Sequence, residues 1–313
     1  MLNRILRKVF PKQNKALLDK KVLELKELRK RSDEIVICGS PTEGSWLGIS
    51  NATHSLFPDK TYTFPQWYSH PVFKDKEMKV WKEALVGLQF TKITISGFAP
   101  FFFDFISEYG EKEHFEVIYH GTWSEMHDKE RRDWMARMFQ LAGIGKIKEI
   151  GFIKEGMAET VHQLYSFNCI HVPLPNPEIP EGIQKLNLDR SKFHIGVFGA
   201  DTFNKNLHNQ VVHALLIKNA VIHVLDKSIF DYLNMSDRVV EHGKNLPKKK
   251  FLQILGSMDL NLYMSYSESW GLVMYESEAM GVPSLSLSNN DYLNLLKDKI
   301  LKLENEKNHK KDT

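Results

Sequence analysis

Cysteine is nearly absent. The 313 residues contain two, Cys38 and Cys169, with no Cys-x-x-Cys spacing. Neither a disulfide framework nor a thiolate zinc site is indicated, and a reducing compartment is expected. No run of 18 apolar residues exists to span a bilayer, and the densest apolar stretch, GFAPFFFDFI from Gly97 to Ile106, is too short. The N-terminus lacks an uninterrupted apolar core and a small-residue cleavage site, so no signal peptide is read and a cytoplasmic location is expected. The motifs His-Glu-x-x-His, G-x-x-x-x-G-K-[ST] and G-x-S-x-G are missing, which leaves zinc-protease, P-loop and α/β-hydrolase readings without support. GIGKIKEIG, from Gly143 to Gly151, carries Lys148 where a dinucleotide fingerprint needs its third glycine. Paired aromatic and basic nucleic-acid motifs are also missing, and no nucleic-acid partner is expected.

What is present is the composition of a soluble globular protein, 42% hydrophobic and 26% charged, long enough for two domains. The net charge of +3 conceals an asymmetry: residues 1–31 hold eleven Lys or Arg against Asp19, Glu24 and Glu27. Within MLNRILRKVF, Leu2, Ile5, Leu6 and Val9 form one apolar helical face beside Arg4, Arg7 and Lys8, and Pro11 interrupts it. Two readings stand side by side. One is a basic amphipathic segment on an anionic membrane, at its inner face; the other is a helix that packs on its own domain.

From Asp33 onward, short β-rich runs alternate with longer amphipathic ones, the pattern of doubly wound parallel sheets. The strands predicted in the first half are EIVICG, KITISG, FEVIYHG, KEIGFI and IHVPLPN. In the second half they are FHIGVFG, AVIHVL, RVVEHG, LNLYMS and PSLSLS, alternating with helices around 205–217, 228–234, 247–257 and 272–280. The Pro-rich VPLPNPEIPEG cannot continue a central strand or helix and reads as a linker. The expected division is therefore a basic segment 1–31, a Rossmann-like domain 32–175 and a second Rossmann-like domain 176–313, facing each other across a cleft. Open α/β sheets bind ligands beyond the carboxyl ends of their strands, so chemistry is expected in CGSPTEGSWLG, YHGTW, FGADTFNKN, EHGKNLP and SYSESWG.

The most informative stretch is SYSESWGLVMYESEAMGVP, Ser265 to Pro283, with Glu268 and Glu276 eight residues apart around a Trp-Gly pair. A helix that begins after Gly271 offers backbone amides suited to phosphate oxygens. A carboxylate accepts from vicinal hydroxyls, so anion and polyol recognition combine in one loop. Two lone glutamates would more often be surface acids beside a core helix.

The whole segment resembles the Glu-x7-Glu signature of GT-B nucleotide-sugar glycosyltransferases, specifically glycosyltransferase family 4, whose pattern reads roughly S-x-x-E-G-F-G-L-x-x-x-E-A-x-A-x-G-x-P. Ser265, Glu268, Gly271, Leu272, Glu276, Ala279, Gly281 and Pro283 fill matching positions, with Ser269 and Trp270 in place of Gly-Phe. The likeness extends over about residues 170–290 and implies a fold of two Rossmann-like domains, 32–175 the acceptor domain and 176–313 the nucleotide-sugar donor domain. It also implies a donor substrate, a UDP- or GDP-sugar, with no metal cofactor required. The absence of any Asp-x-Asp pair agrees with that. By the same resemblance Glu268 holds the sugar's hydroxyls, the backbone from Ser269 through Trp270 and Gly271 to Leu272 faces sugar and phosphate, and Glu276 binds the ribose.

In FGADTFNKN the family carries an Arg after the glycine and a Lys a few residues on. Gly199, Lys205 and Asn206 match this loop, but Ala200 and Asp201 stand where the Arg belongs. His120 in YHGTW is placed near the donor sugar, its other reading being a strand-end histidine satisfied by backbone. Gly44 and Ser45 in SPTEGSWLG either wrap donor phosphate or acceptor, or serve a turn. The second domain reads as shortened, with LSNND as a reduced phosphate loop and YLNLLKDKILKLE as the closing helix. The implied activity is transfer of a sugar to an acceptor hydroxyl on a glycan or lipid-linked molecule, with retention of configuration. The alternative is a catalytically silent GT-B scaffold that binds a nucleotide, a glycan or a partner protein.

Overall fold

A computed structural model describes residues 11–40, 47–65, 73, 75–233, 237–244 and 246–286. The chain divides into two compact units, Met1–Pro175 and Asn176–Thr313.

The first unit is built on β1 (Glu34–Gly39), β2 (Thr61–Phe64), β3 (Lys92–Ser96), β4 (Phe115–Tyr119), β5 (Glu149–Phe152) and β6 (Cys169–His171). They lie in the order β2-β1-β3-β4-β5-β6, every pairing parallel. Ile35, Ile37, Ile93 and Ile95 are fully buried, because helices cover both faces of a parallel sheet. Those helices are α1 (Pro11–Arg31), α2 (Leu47–Leu56), α3 (Asp75–Gly87), α4 (Pro100–Tyr109), α5 (Lys129–Gly143) and α6 (Met157–Tyr165). The strand β2 went unread because TYTF is four residues long and its alternation has no room to repeat. The aromatic run reserved as too short for a membrane is α4, started by Pro100 in the first turn, with Phe102, Phe103, Phe105 and Ile106 buried. At the centre of this core Trp81 packs on Phe64, ring centroids 4.4 Å apart, and its Nε1 donates to the Tyr62 hydroxyl at 3.0 Å. The indole thereby buries its area without stranding its polar atom.

The helix α1 settles the basic segment over its described part. Pro11 stands at the first position of α1, where a residue has no intrahelical N–H to lose. Leu18, Leu25 and Leu28 are buried in the first core. The basic side chains serve the same domain: the Lys21 ammonium donates to the Thr63 carbonyl at 3.1 Å and Arg29 Nε to the Leu88 carbonyl at 3.0 Å. Over residues 18–28 the apolar face of α1 is thus occupied by its own unit. Leu2, Ile5, Leu6 and Val9, the face on which the membrane reading rests, lie outside the described residues, as do LSNND and YLNLLKDKILKLE. Among the described residues no helix is long and apolar enough to cross a membrane.

The second unit contains β7 (Phe193–Val197), α7 (Leu207–Ala214), β8 (Ala220–Val224), β9 (Val239–Glu241), α8 (Lys248–Leu255), β10 (Leu260–Tyr263), α9 (Leu272–Ala279) and β11 (Ser284–Ser286). Its sheet runs β11-β10-β7-β8-β9, again wholly parallel. The helix expected around 228–234 is a 3-10 segment, Ser228–Leu233. The site-bearing elements are joined by a buried amide. Asn261 Nδ2 donates to the Leu255 carbonyl at 3.1 Å and to Ser277 Oγ at 2.7 Å, and Ser277 Oγ donates to the Val282 carbonyl at 2.9 Å. Gly196 is the register partner of Asn261, and a Cβ there would stand 2.2 Å from Asn261 Oδ1. On the same face of the sheet, across β7, β8 and the residue after β9, His194, His223 and His242 form a chain. His194 Nε2 lies 2.9 Å from the Asp189 carbonyl, His194 Nδ1 2.9 Å from His223 Nε2, and His223 Nδ1 2.8 Å from His242 Nε2.

Replacing Leu25 by Ala should cost about 2–5 kcal/mol of stability by the usual price of a core cavity. Urea unfolding of the full chain measures it, and a loss near zero would mean that α1 is not seated in the core.

Candidate functional site

In each sheet the chain reverses its direction of winding at one point, the place at whose strand ends open α/β sheets bind ligands. In the second unit that point lies between β7 and β10. The β7 loop passes through a 3-10 turn, Phe203–Lys205, and reaches α7 through Asn206 in the left-handed region at φ 53°. Asparagine tolerates that conformation better than most residues. The β10 loop is sewn to it. Asn206 Nδ2 donates to the Met264 carbonyl at 3.1 Å, Gln210 Oε1 accepts from the Met264 amide at 3.0 Å, and the Tyr266 amide donates to the Asn204 carbonyl at 2.8 Å.

This stitching brings Lys205 and Glu268 together. The ammonium donates to both carboxylate oxygens, at 2.6 and 2.8 Å, and to the Tyr263 hydroxyl at 3.2 Å. Their side chains are only 20% and 12% exposed. Charge-assisted hydrogen bonds at this distance are strong, and neither ion is left uncompensated where desolvation would be costly. Burial together with the Glu268 charge holds the Tyr263 phenol well above its ordinary range, so it stays a neutral partner. Gly199 makes room here: a Cβ on it would meet Leu207 Cδ2 at 3.1 Å and the Lys205 stem at 3.6 Å. Asn206 is committed to the Met264 carbonyl and to Asn209 Nδ2, which it accepts at 2.6 Å. Its role is to shape the loop.

Four residues beyond Glu268, α9 begins. Gly271 stands just before it at φ 84°, and no side chain caps the helix. Trp270 stacks on Tyr275 at 5.3 Å, and its buried Nε1 has no hydrogen-bond partner among the described residues. With Ser269 and Leu272 on either side, this corner presents N–H donors and no competing carboxylate at the helix start. Glu276 differs from the open, ligand-facing carboxylate that the sequence suggests. It is 3% exposed, one turn into α9, and bonded to the Lys248 ammonium. Burial pushes its pKa up, while Lys248 opposes the rise. Lys248, first residue of α8, went unread because PKKKF looks like a solvated charge run. Tyr263 was hidden in an apolar strand, and only the alternation of LNLY marks it as inward-facing.

In the first unit the reversal falls between β1 and β3. A cavity of about 280 Å³ lies by the ends of β3 and β4 and the start of α2, lined by Gly48, Gly97, Tyr119, His120, Glu125 and Arg131 among others. His120 Nε2 is 2.9 Å from Ser96 Oγ, which is 2.7 Å from Thr53 Oγ1, whose hydroxyl donates to the Ile49 carbonyl. Because the Thr53 proton is committed to that carbonyl, Ser96 donates to Thr53 and His120 Nε2–H donates to Ser96. Nδ1 is therefore the acceptor that remains. Burial pushes the His120 pKa down to about 3, which keeps the ring neutral. The structure satisfies His120 through side chains of β3 and α2, where the sequence suggested backbone. Gly44 and Ser45 lie outside the described residues.

No protein-family model matches the chain, and no curated protein matches it in sequence. Solved structures do. Sucrose-phosphate synthase from Thermosynechococcus elongatus superposes with a TM-score of 0.56 at 12% identity, covering 80% of this chain and 81% of that one. An E. coli trehalose-6-phosphate structure bound with UDP-2-fluoro glucose gives a TM-score of 0.51 at 10% identity, covering 81% and 83%. The pneumococcal O-GlcNAc transferase GtfA, in complex with UDP and GlcNAc, has a TM-score of 0.49, and this chain spans 42% of its length. The two parallel sheets and the first two of these neighbours give the protein the GT-B fold.

The neutral His120 has a measurable signature. An unfolded imidazole titrates near 6.5 and the folded one near 3, so the unfolded state binds more protons between these values. The stability this group contributes is complete above pH 6.5 and is lost as pH falls toward 3. In His120→Asn, the slope of unfolding free energy against pH between 5 and 6.5 should fall by up to one proton, about 1.4 kcal/mol per pH unit. Denaturant titrations at several pH values check this, and an unchanged slope would refute it.

Proposed function

We propose that this protein is a glycosyltransferase that moves a sugar from a nucleotide diphosphate sugar to an acceptor hydroxyl, with retention and without a metal. The observation that carries the reading is the Lys205–Glu268 pair at the reversal point of the second sheet, beside the uncapped start of α9. A cation, a carboxylate and a set of N–H donors stand side by side there, and a donor needs each of them. The diphosphate suits Lys205, the α9 amides and Trp270 Nε1; the hydroxyls of the sugar suit Glu268. Before the donor arrives, the two charges neutralise each other. On arrival the diphosphate takes over Lys205 and Glu268 turns to the sugar, so no buried charge is left alone.

As the bond from the anomeric carbon to phosphate breaks, its electron pair goes to the departing diphosphate. Lys205 and the helix-end amides stabilise that charge. The acceptor hydroxyl bonds to the same face of the anomeric carbon, and its proton passes to the departing phosphate oxygen. Neutral His120, with Nδ1 as acceptor, is suited to a sugar hydroxyl. Glu276 is assigned to the ribose, an assignment that requires Lys248 to yield. The UDP and UDP-sugar ligands of the neighbours favour a UDP-sugar donor. A glycan or lipid-linked acceptor in the cytoplasm, for surface glycan synthesis, completes the proposal.

The missing Arg at Ala200 and Asp201 favours one second reading, a silent scaffold that binds the donor without turning it over. A thermal-shift screen with UDP- and GDP-sugars, followed by assays of donor hydrolysis and transfer, distinguishes the two. Stabilisation with no turnover supports the scaffold; no stabilisation by any nucleotide sugar removes both. In an active protein, Lys205→Ala should lower turnover by about 10²–10³-fold, the usual cost of one donor to a developing charge. Glu268→Gln should lower turnover while UDP affinity, measured by calorimetry, is retained. Glu276→Ala should weaken UDP binding, and unchanged affinity would remove Glu276 from the ribose.

A further inference from the structure

The two loops that bring Lys205 to Glu268 also bring a second pair together, two residues upstream in each loop. Phe203 and Tyr266 meet with ring centroids 5.4 Å apart and planes inclined by 36°. Both are open to solvent, Phe203 at 75% and Tyr266 at 49% exposure. Large aromatic rings at such exposure forgo the burial that normally stabilises them.

They are nevertheless held in place. The Tyr266 amide donates to the Asn204 carbonyl at 2.8 Å, and Asn204 Nδ2 donates to the Ser267 carbonyl at 3.2 Å. Asn204 Oδ1 accepts from the Thr202 hydroxyl at 2.7 Å, and Asn209 Nδ2 donates to the Tyr266 hydroxyl at 3.2 Å. The rings are thus preorganised by amides and hydroxyls that lie among them, which reduces the entropy lost when a ligand settles on them.

The chemistry of that surface is specific. A pyranose ring presents C–H bonds on one face and hydroxyls around its rim. The negative face of an aromatic ring attracts the former, and neighbouring amides and hydroxyls bond the latter. We infer that Phe203 and Tyr266 form a sugar-stacking platform for a glycan acceptor, so that the acceptor is a carbohydrate whose terminal ring is seated beside the Lys205–Glu268 pair. This rests on the glycosyltransferase reading and narrows its acceptor to a carbohydrate.

The test uses the full chain and three defined oligosaccharides, maltopentaose, cellopentaose and chitopentaose, with saturation-transfer NMR as the readout. A parallel thermal shift with UDP-glucose and GDP-mannose monitors the donor site. The wild type should show transfer to ring C–H protons of at least one oligosaccharide. Phe203→Ala combined with Tyr266→Ala should weaken that binding by roughly tenfold or more, as expected for loss of aromatic stacking, with the nucleotide-sugar shift retained. Phe203→Tyr, which keeps the ring, should retain the oligosaccharide binding that Phe203→Ala loses, which a mere folding defect would not track. Equal oligosaccharide affinity in the double variant overturns the platform. So does absence of binding by all three to a wild type that still binds a nucleotide sugar. Loss of nucleotide-sugar affinity with oligosaccharide binding intact also overturns it, since the rings would then stack a nucleobase. If neither nucleotide sugar shifts the wild type, the glycosyltransferase reading itself falls, whatever the oligosaccharides do.

Discussion

One buried side chain amide holds the second unit in the form its site requires. Asn261 lies in the middle of the sheet, bonded to the end of α8 and to Ser277 inside α9, while Gly196 leaves the space it fills on β7. Losing both bonds would strand a buried donor, which is costly, and Nδ2 commits its two protons to these two partners. Because Ser277 also bonds the Val282 carbonyl, the helix that offers its amides and the strand that follows are set from the same point. The position of Glu268 relative to α9 is therefore inherited from the core.

Much of the fold was legible because both sheets are parallel and buried, and such strands read as dense β-branched and apolar runs between amphipathic segments. EIVICG, KITISG and AVIHVL needed no other signal. What escaped was short or ambiguous: TYTF has too few residues to show a period, and SIFDYL has the composition of a helix but forms only 3-10 turns. The basic N-terminal segment was ambiguous for a different reason. An amphipathic face is the same whether a membrane or a protein core covers it; for α1 the contacts of Leu18, Leu25 and Leu28 show a protein core.

The site was legible by residue type and not by partnership. Lys205 and Glu268 each stand out in their own loop, but they lie 63 residues apart and nothing local in either loop says that they meet. Glu276 illustrates the converse. Its spacing from Glu268 is plain in the chain, whereas the Lys248 that covers it comes from a separate helix in a run of three lysines. Loop chemistry is read from sequence one loop at a time, and a crevice is made of two.

The histidine chain across the second sheet has a direction. A carbonyl only accepts, so the Asp189 oxygen obliges His194 to donate from Nε2, and in the neutral state each next imidazole must donate in turn. His223 donates from Nε2 to His194, and His242 from Nε2 to His223. All three rings are held in the same tautomer by one oxygen at the end of the row. The first added proton then has a single place to go without reversing the row, Nδ1 of His242. A single backbone oxygen thus sets the proton positions of three side chains drawn from three separate stretches of the chain.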